Sequence, residues 1–317
     1  MGEYRAFFVT DIHASDRCFR KFLNAARFYD CRVLIMGGDM TGKMLVPIVD
    51  RGGGRWSTQV FDRYREFDAT ELPAIRKLIA DAGYYAYETT VDGVKELEAS
   101  PERVDTTFHE KIRETVEGWL ALAEERLNGS GIMCFMAPGN DDHPFVDELL
   151  RSSPRVINPE REVVELPGGF QMISVGYSNP TPWDSPRELP EEQLLAMIDG
   201  EASKVKDPGR AIFNLHVPPR DTPIDQAVLV DKELRPVIKN GMPAITGVGS
   251  SAVRAALEKF QPMLGLHGHI HESRGEARIG RTLSINPGSE YSEGVLRGAI
   301  LTISEQKGLK GYQLVAG

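Results

Sequence analysis

The segment LHGHIHE places His267, His269 and His271, three of the chain's seven histidines, within five positions. Imidazole is the commonest metal ligand, and residues two apart on an extended segment point to one side. His269 and His271 can therefore face one centre, and His267 shares their parity. A lone histidine at a strand end is ordinarily hydrogen-bonded, so a metal reading requires further donors. The chain supplies them: Asp11 and His13 in TDIH, Asp39 in GGDM, Asn140 in PGNDD and His216 in NLHVPP. Two carboxylates, one amide oxygen and four imidazoles suit borderline or harder divalent ions such as zinc, manganese, iron or cobalt. Seven side chains are too many for one ion. Two ions bridged by Asp39 would use them all and leave positions for water and substrate.

These donors must be positioned by the elements they end. Apolar runs cover 4–13, 32–40, 132–142, 170–179, 211–219 and 263–271, and each stops at a polar loop. Such runs predict buried strands with chemistry at their carboxyl ends. Helical spacing in DRCFRKFLNAARFYD lies between two of them, an alternation that predicts an α/β layered sheet. Open α/β sheets gather ligands at the carboxyl ends of strands, so segments distant in sequence can share one crevice. The interval 44–131 breaks the rhythm with a hairpin, MLVPIVDRGGGRWSTQVF, followed by polar helices. Phe108, Ile112, Val116, Trp119, Leu120, Ala123 and Leu127 form a packing stripe on the last of these, which Asn128 and Gly129 end. This interval reads as an insertion or cap.

Composition narrows the function. A chain of 317 residues with 41% hydrophobic content is long enough for a large core. Its net charge of −9 argues against a nucleic-acid polymer as partner, because such binding rests on Lys and Arg neutralising phosphates. A small phosphorylated ligand stays open. The N-terminal apolar run is too short for a signal sequence and no stretch spans a bilayer, so a cytoplasmic location without membrane association is expected. Cys18, Cys31 and Cys134 are odd in number and lack CxxC spacing, which indicates neither disulfides nor a thiolate site.

The ordered series DxH, GD, GN, H and GHxH, running from Asp11 to His271, resembles the calcineurin-like metallophosphoesterase superfamily. The resemblance implies one domain over 1–317, a four-layer αββα sandwich of two mixed sheets, with the helical insertion at 44–131. It also implies that Asp11, His13, Asp39 and His271 hold one metal, and that Asp39, Asn140, His216 and His269 hold the other. His267 falls outside the ligand pattern and would keep its place by hydrogen bonds. Two such ions lower the pKa of a bridging water and clamp phosphate oxygens, so the implied reaction is hydrolysis of a small phosphorylated substrate by metal-bound hydroxide. The wording of HVPPRDTPID, LHGHIHESRG and NPGSEYSEGVLRGA is similar to predicted phosphoesterases related to bacterial cyclic-nucleotide phosphodiesterases.

One departure bears on mechanism. Many superfamily members carry a histidine directly after the ligand asparagine, near the leaving group, whereas this chain reads Gly139, Asn140, Asp141, Asp142, His143. Members without that histidine are mostly associated with phosphodiester hydrolysis, so a phosphodiesterase is expected ahead of a phosphomonoesterase. Asp141 or His143 could replace the acid, or Asp141 could instead orient Asn140 or a ligand histidine. Asn179, Trp183 and Arg187 in GYSNPTPWDSPRE, together with Arg220 and Arg274, are candidates to orient a phosphate or stack a base, with a loop-packing or surface role as the favoured alternative for each. The alternative is a metal-binding scaffold without turnover, as in a retromer subunit of the same fold.

Overall fold

The computed structural model describes residues 2–317. Two six-stranded sheets form its centre. In the first, the strands run in the order Gly308–Ala316, Arg297–Ser304, Glu3–Val9, Val33–Met36, Met133–Met136, Val156–Ile157. In the second, the order is Gly275–Ile279, Thr282–Asn286, Leu264–Leu266, Ala211–Leu215, Phe170–Val175, Val163–Leu166. Both are mixed: the inner strands pair in parallel, antiparallel strands complete one edge of the first sheet and both edges of the second, and the short edge strand Val156–Ile157 is parallel to its neighbour.

The period-2 alternation of side chains builds three apolar layers from these sheets. Along Glu3–Val9, Tyr4, Ala6 and Phe8 point between the sheets, where they meet Phe170, Met172, Ile212, Leu264 and Ile285. Phe7 and Val9 point outward to helices Asp16–Phe28, Pro101–Leu127 and Val146–Arg151. On the far side, Ile173, Val175, Phe213 and Leu215 pack on helices Glu191–Ala202 and Ser251–Phe260. The result is the expected αββα sandwich.

The interval 44–131 differs from expectation. In place of a hairpin followed only by helices, it holds a four-stranded sheet in the order Arg63–Asp68, Arg55–Val60, Leu45–Gly52, Tyr85–Thr90. Arg63–Asp68 reads as polar because it is an edge strand that buries only Phe67, and Tyr85–Thr90 buries only Tyr85. Val46, Ile48, Val60, Phe67, Ile75 and Ile79 give this sheet its own small core. The long helix Pro101–Leu127 instead belongs to the main body. Its stripe joins the core outside the first sheet, with Trp119 stacked on Phe19 at 4.2 Å and donating its indole N–H to Asp16 Oδ1 at 3.1 Å.

Glu160 sits at the junction of the two sheets, bridged to Ser174, with Oε2 accepting from Gly176 N at 2.9 Å and Oε1 buried without a partner. Burial pushes its carboxyl up from 4.5 to about 8, against the opposing pull of Arg187. The folded chain thus keeps a proton that the unfolded chain releases. The stabilisation is present in full below the unfolded value and is lost as pH rises through about 8. Glu160→Gln should flatten the decline in unfolding free energy between pH 5 and pH 8, a decline of at most about 1.4 kcal/mol per pH unit for one group. Urea titrations of both proteins across that range check it; parallel profiles would disprove it.

Candidate metal centre

Five parallel strands deliver the donors. Asp11 and His13 follow Glu3–Val9, Asp39 follows Val33–Met36, and Asn140 follows Met133–Met136, all neighbours in the first sheet. His216 follows Ala211–Leu215, and His269 and His271 follow Leu264–Leu266, neighbours in the second. The chain turns sharply where it leaves these strands. Asp11, His13, Asp39 and His269 all have positive φ (53°, 38°, 49° and 67°), a conformation non-glycine residues adopt only where the surroundings enforce it. A Cβ at Gly139 would collide with the Asp39 carboxylate, and one at Gly38 with the His216 ring, so both glycines are required for the loops to approach.

The donor atoms converge in overlapping groups. Asp11, His13 and His271 each offer an atom within 4.8 Å of the others, as do Asp39, His216 and His269, and as do His13, Asp39 and Asp141. The rings are aimed by their other nitrogens: His13 Nδ1 lies 3.2 Å from the Thr41 carbonyl and His216 Nδ1 lies 3.3 Å from that of Gly37. That leaves His13 Nε2 facing His271 Nε2 at 3.1 Å, and His216 Nε2 buried with no hydrogen-bond partner, 3.3 Å from Asp39 Oδ1. Asn140 turns its amide nitrogen to Asp141 Oδ1 and Ser185 Oγ, so its Oδ1 lies 2.7 Å from His269 Nδ1. Lone-pair atoms pointed at one another, with an orphaned ring nitrogen among them, fit a pair of cations.

The protein's own groups divide the donor histidines: the pKa values of His13 and His269 are lowered, those of His216 and His271 raised. Burial holds His13 at about 3 and His269 at about 4, neutral as metal ligands must be. Burial opposes ionisation of Asp39, but His216, His13 and Lys43 together keep it well below the usual carboxylate range. His216 is driven the other way, to about 10: burial disfavours its charge, and Asp39 and Asp11 more than offset that.

Asp142 fastens the two loops that carry Asp39 and Asn140. Fully buried, it accepts from Met40 N, Thr41 N, Thr41 Oγ1 and Gly139 N at 2.6–3.1 Å. His267 is also fully buried, its Nδ1 2.7 Å from the Leu215 carbonyl and its Nε2 3.2 Å from Ser284 Oγ, so both ring nitrogens face protein groups outside the donor set.

The other sequence candidates are placed less uniformly. Asp141 lies at the centre: its N–H donates to Asp39 Oδ1 at 3.0 Å and its carboxylate pairs with Lys43. His143 does not, because its ring packs with His109, Phe108 and Phe145. Arg187 is buried, with its guanidinium engaged by the carbonyls of Asp142 and His143 and by Asp147, and is therefore spent on holding the loop instead of reaching substrate. Asn179 donates to the Val248 carbonyl at 3.4 Å. Trp183 is 63% exposed on a loop tied to Asn140 through Ser185 Oγ and Arg187 N. Arg220 is exposed with Asp221 at 3.9 Å, and Arg274 is exposed on the turn beside His271. Lys43 and Tyr291 escaped the sequence reading. Tyr291 packs against His13 at 4.7 Å and His271 at 5.9 Å between ring centroids, and no motif marks either residue.

The fold is shared with solved structures of low sequence identity. A solved crystal structure superposes with a TM-score of 0.57 at 15% identity, covering 99% of both chains. The structure of TT1561 from Thermus thermophilus gives 0.54 at 11% identity, covering 100% of this chain and 99% of that one. The uncharacterized protein MJ1162 of Methanocaldococcus jannaschii is 31% identical over 159 residues, which span 49% of this chain and 63% of that protein's length. No family model matches the chain.

Proposed function

We propose that this protein is a dinuclear metal-dependent phosphoric ester hydrolase, acting by preference on a small phosphodiester. The observation that carries this reading is the convergence of two donor groups on either side of Asp39, one of them containing the orphaned His216 nitrogen. Asp11, His13, Asp39 and His271 would hold one ion; Asp39, Asn140, His216 and His269 would hold the second. When bound, two divalent ions supply Lewis acidity toward phosphate oxygens and a nucleophile at neutral pH. The mixed oxygen and imidazole donors favour manganese, iron, zinc or cobalt over magnesium or calcium. The chain itself provides orientation. Asp142 locks the Asp39 and Asn140 loops together, and the Trp183 loop, whose Glu188 accepts from Thr181 and Ser185 and whose Ser185 accepts from Asn140, carries an exposed indole that could meet an aromatic substituent.

The 44–131 interval reads as a wall of the cleft. Tyr85 OH accepts from Gly42 N at 2.7 Å, and Gly83 lies against the His13 carbonyl and the Tyr291 ring, so this segment abuts the loops that carry Asp39 and His13. Net charge of −9 favours a small substrate over a polyanion, and a cytoplasmic setting is proposed. Among the described residues no helix is long and apolar enough to cross a membrane.

Protein purified without chelator should contain two divalent ions per chain and hydrolyse aryl diesters or cyclic nucleotides faster than aryl monoesters, with activity lost on chelation and regained with manganese. Two bound ions with no turnover across the whole panel would mean a scaffold in place of an enzyme.

A further inference from the structure

The donor pattern leaves one cation at the centre unexplained. Lys43 follows Asp39 on a loop fixed from two directions: Thr41 donates to Asp142 through N–H and hydroxyl, and Gly42 N donates to Tyr85 OH. A Cβ at Gly42 would press on the Gly83 carbonyl and the Ala14 methyl, so the loop is seated against the segment bearing His13. From there Lys43 Nζ reaches Asp141 Oδ2 at 2.5 Å. Asp141 in turn offers an oxygen within 4.8 Å of donor atoms of His13 and Asp39. Lys43 is the one lysine or arginine among the charged groups that weigh most on His13, Asp39 and His271.

Two features distinguish this pair from a simple structural ion pair. The Lys43 side chain remains 51% exposed while that of Asp141 is 19% exposed, so the pair lies at the rim of the centre and not in the core. An ammonium also has three donors, and the Asp141 contact uses one. Resting on the hydrolase reading above, we propose that Lys43 grips a non-bridging oxygen of the substrate phosphate, with Asp141 serving to aim the ammonium. The segment after Asn140 lacks the usual histidine, and Lys43 supplies positive charge there from a different loop. Lysine and arginine clamps on phosphoryl oxygens stabilise the charge that grows in the transition state, and the ammonium does so here without giving up a proton.

Lys43→Met and Lys43→Arg should be compared in the wild-type and Asp141→Asn backgrounds, since asparagine keeps an oxygen to aim the ammonium but removes the charge. Each protein is loaded with manganese, its metal counted, kcat/KM measured over a series of aryl diesters, and inorganic phosphate titrated by calorimetry. The expected result is unchanged metal content, weaker phosphate binding and a ~10²- to 10³-fold lower kcat/KM for Lys43→Met, equal across leaving groups and equal in both backgrounds, with partial recovery by arginine. If Lys43→Met has no effect once Asp141 is asparagine, Lys43 only neutralises Asp141 and the proposal is wrong. Equal phosphate affinity of wild type and Lys43→Met also overturns it. Lys43-dependent phosphate binding without ester turnover would remove the hydrolase reading and keep this one, whereas turnover indifferent to Lys43 would do the reverse. A wild type that neither turns over esters nor binds phosphate would remove both.

Discussion

Asp39→Asn will lose measurable hydrolysis and bind less metal at both positions, while folding normally. The reasoning starts from the backbone. Asp39 has φ of 49°, where asparagine is among the few residues that substitute without added strain, so this variant separates loss of donor from loss of fold better than alanine does. The carboxylate lies between the two donor groups, with Oδ1 3.3 Å from His216 Nε2 and Oδ2 3.8 Å from His13 Nε2. An amide has one weaker oxygen donor and cannot serve both sides. Removing a residue that merely supports a metal ligand typically costs ~10–100-fold in affinity or activity, so removing a donor shared by two ions should cost at least ~10²- to 10⁴-fold. Metal counted per chain, alongside circular dichroism and kcat/KM, decides the matter. Two ions retained in a folded, inactive Asp39→Asn protein would show that the carboxylate does not bridge, even if it is needed for turnover.

The shared position of Asp39 also shows what a sequence can and cannot disclose. The seven donors are legible because each ends an apolar run, and an apolar run followed by a short polar loop constrains both strand and strand end. The layering is legible for the same reason: alternation within EYRAFFV already separates Phe8 from Phe7 and Val9, which enter different cores. Lys43 is not legible, because its meaning depends on Asp141, ninety-eight positions away by subtraction of their residue numbers, and on a loop held by Asp142 and Tyr85. Arg187 stays ambiguous in the sequence for the complementary reason. A guanidinium in a polar loop suggests an anion, yet here it is buried against two backbone carbonyls and Asp147, and only the tertiary structure supplies those acceptors. The strand Arg63–Asp68 is obscured because an edge strand needs one buried side chain and a backbone partner, which leaves almost no hydrophobic period to detect.

The same separation of pattern from placement governs the leaving group. Hydrolysis by the wild type should depend steeply on leaving-group acidity, with activated aryl diesters cleaved far faster than alkyl ones. Burial and Asp39 raise the Asp141 carboxyl to about 7, but the placement of both candidate acids opposes donation. Both Asp141 oxygens are already acceptors, one from Lys43 and one from Asn140. The His143 ring packs 4.4 Å from that of His109, and the charged groups that weigh most on it are His109, Asp105 and Arg187, none of them donors of the centre. Asp141→His would place an imidazole directly after Asn140, the pattern of many members of the superfamily the sequence resembles, and should raise kcat/KM mainly for poor leaving groups, within the ~10²- to 10⁴-fold range of general acid catalysis. His143→Ala should leave the slope of the series unchanged. The measurement is kcat/KM across the leaving-group series for wild type, Asp141→His and His143→Ala. A shallow wild-type slope made steep by His143→Ala would assign the proton to His143, and would require that its ring leave the His109 cluster when substrate binds.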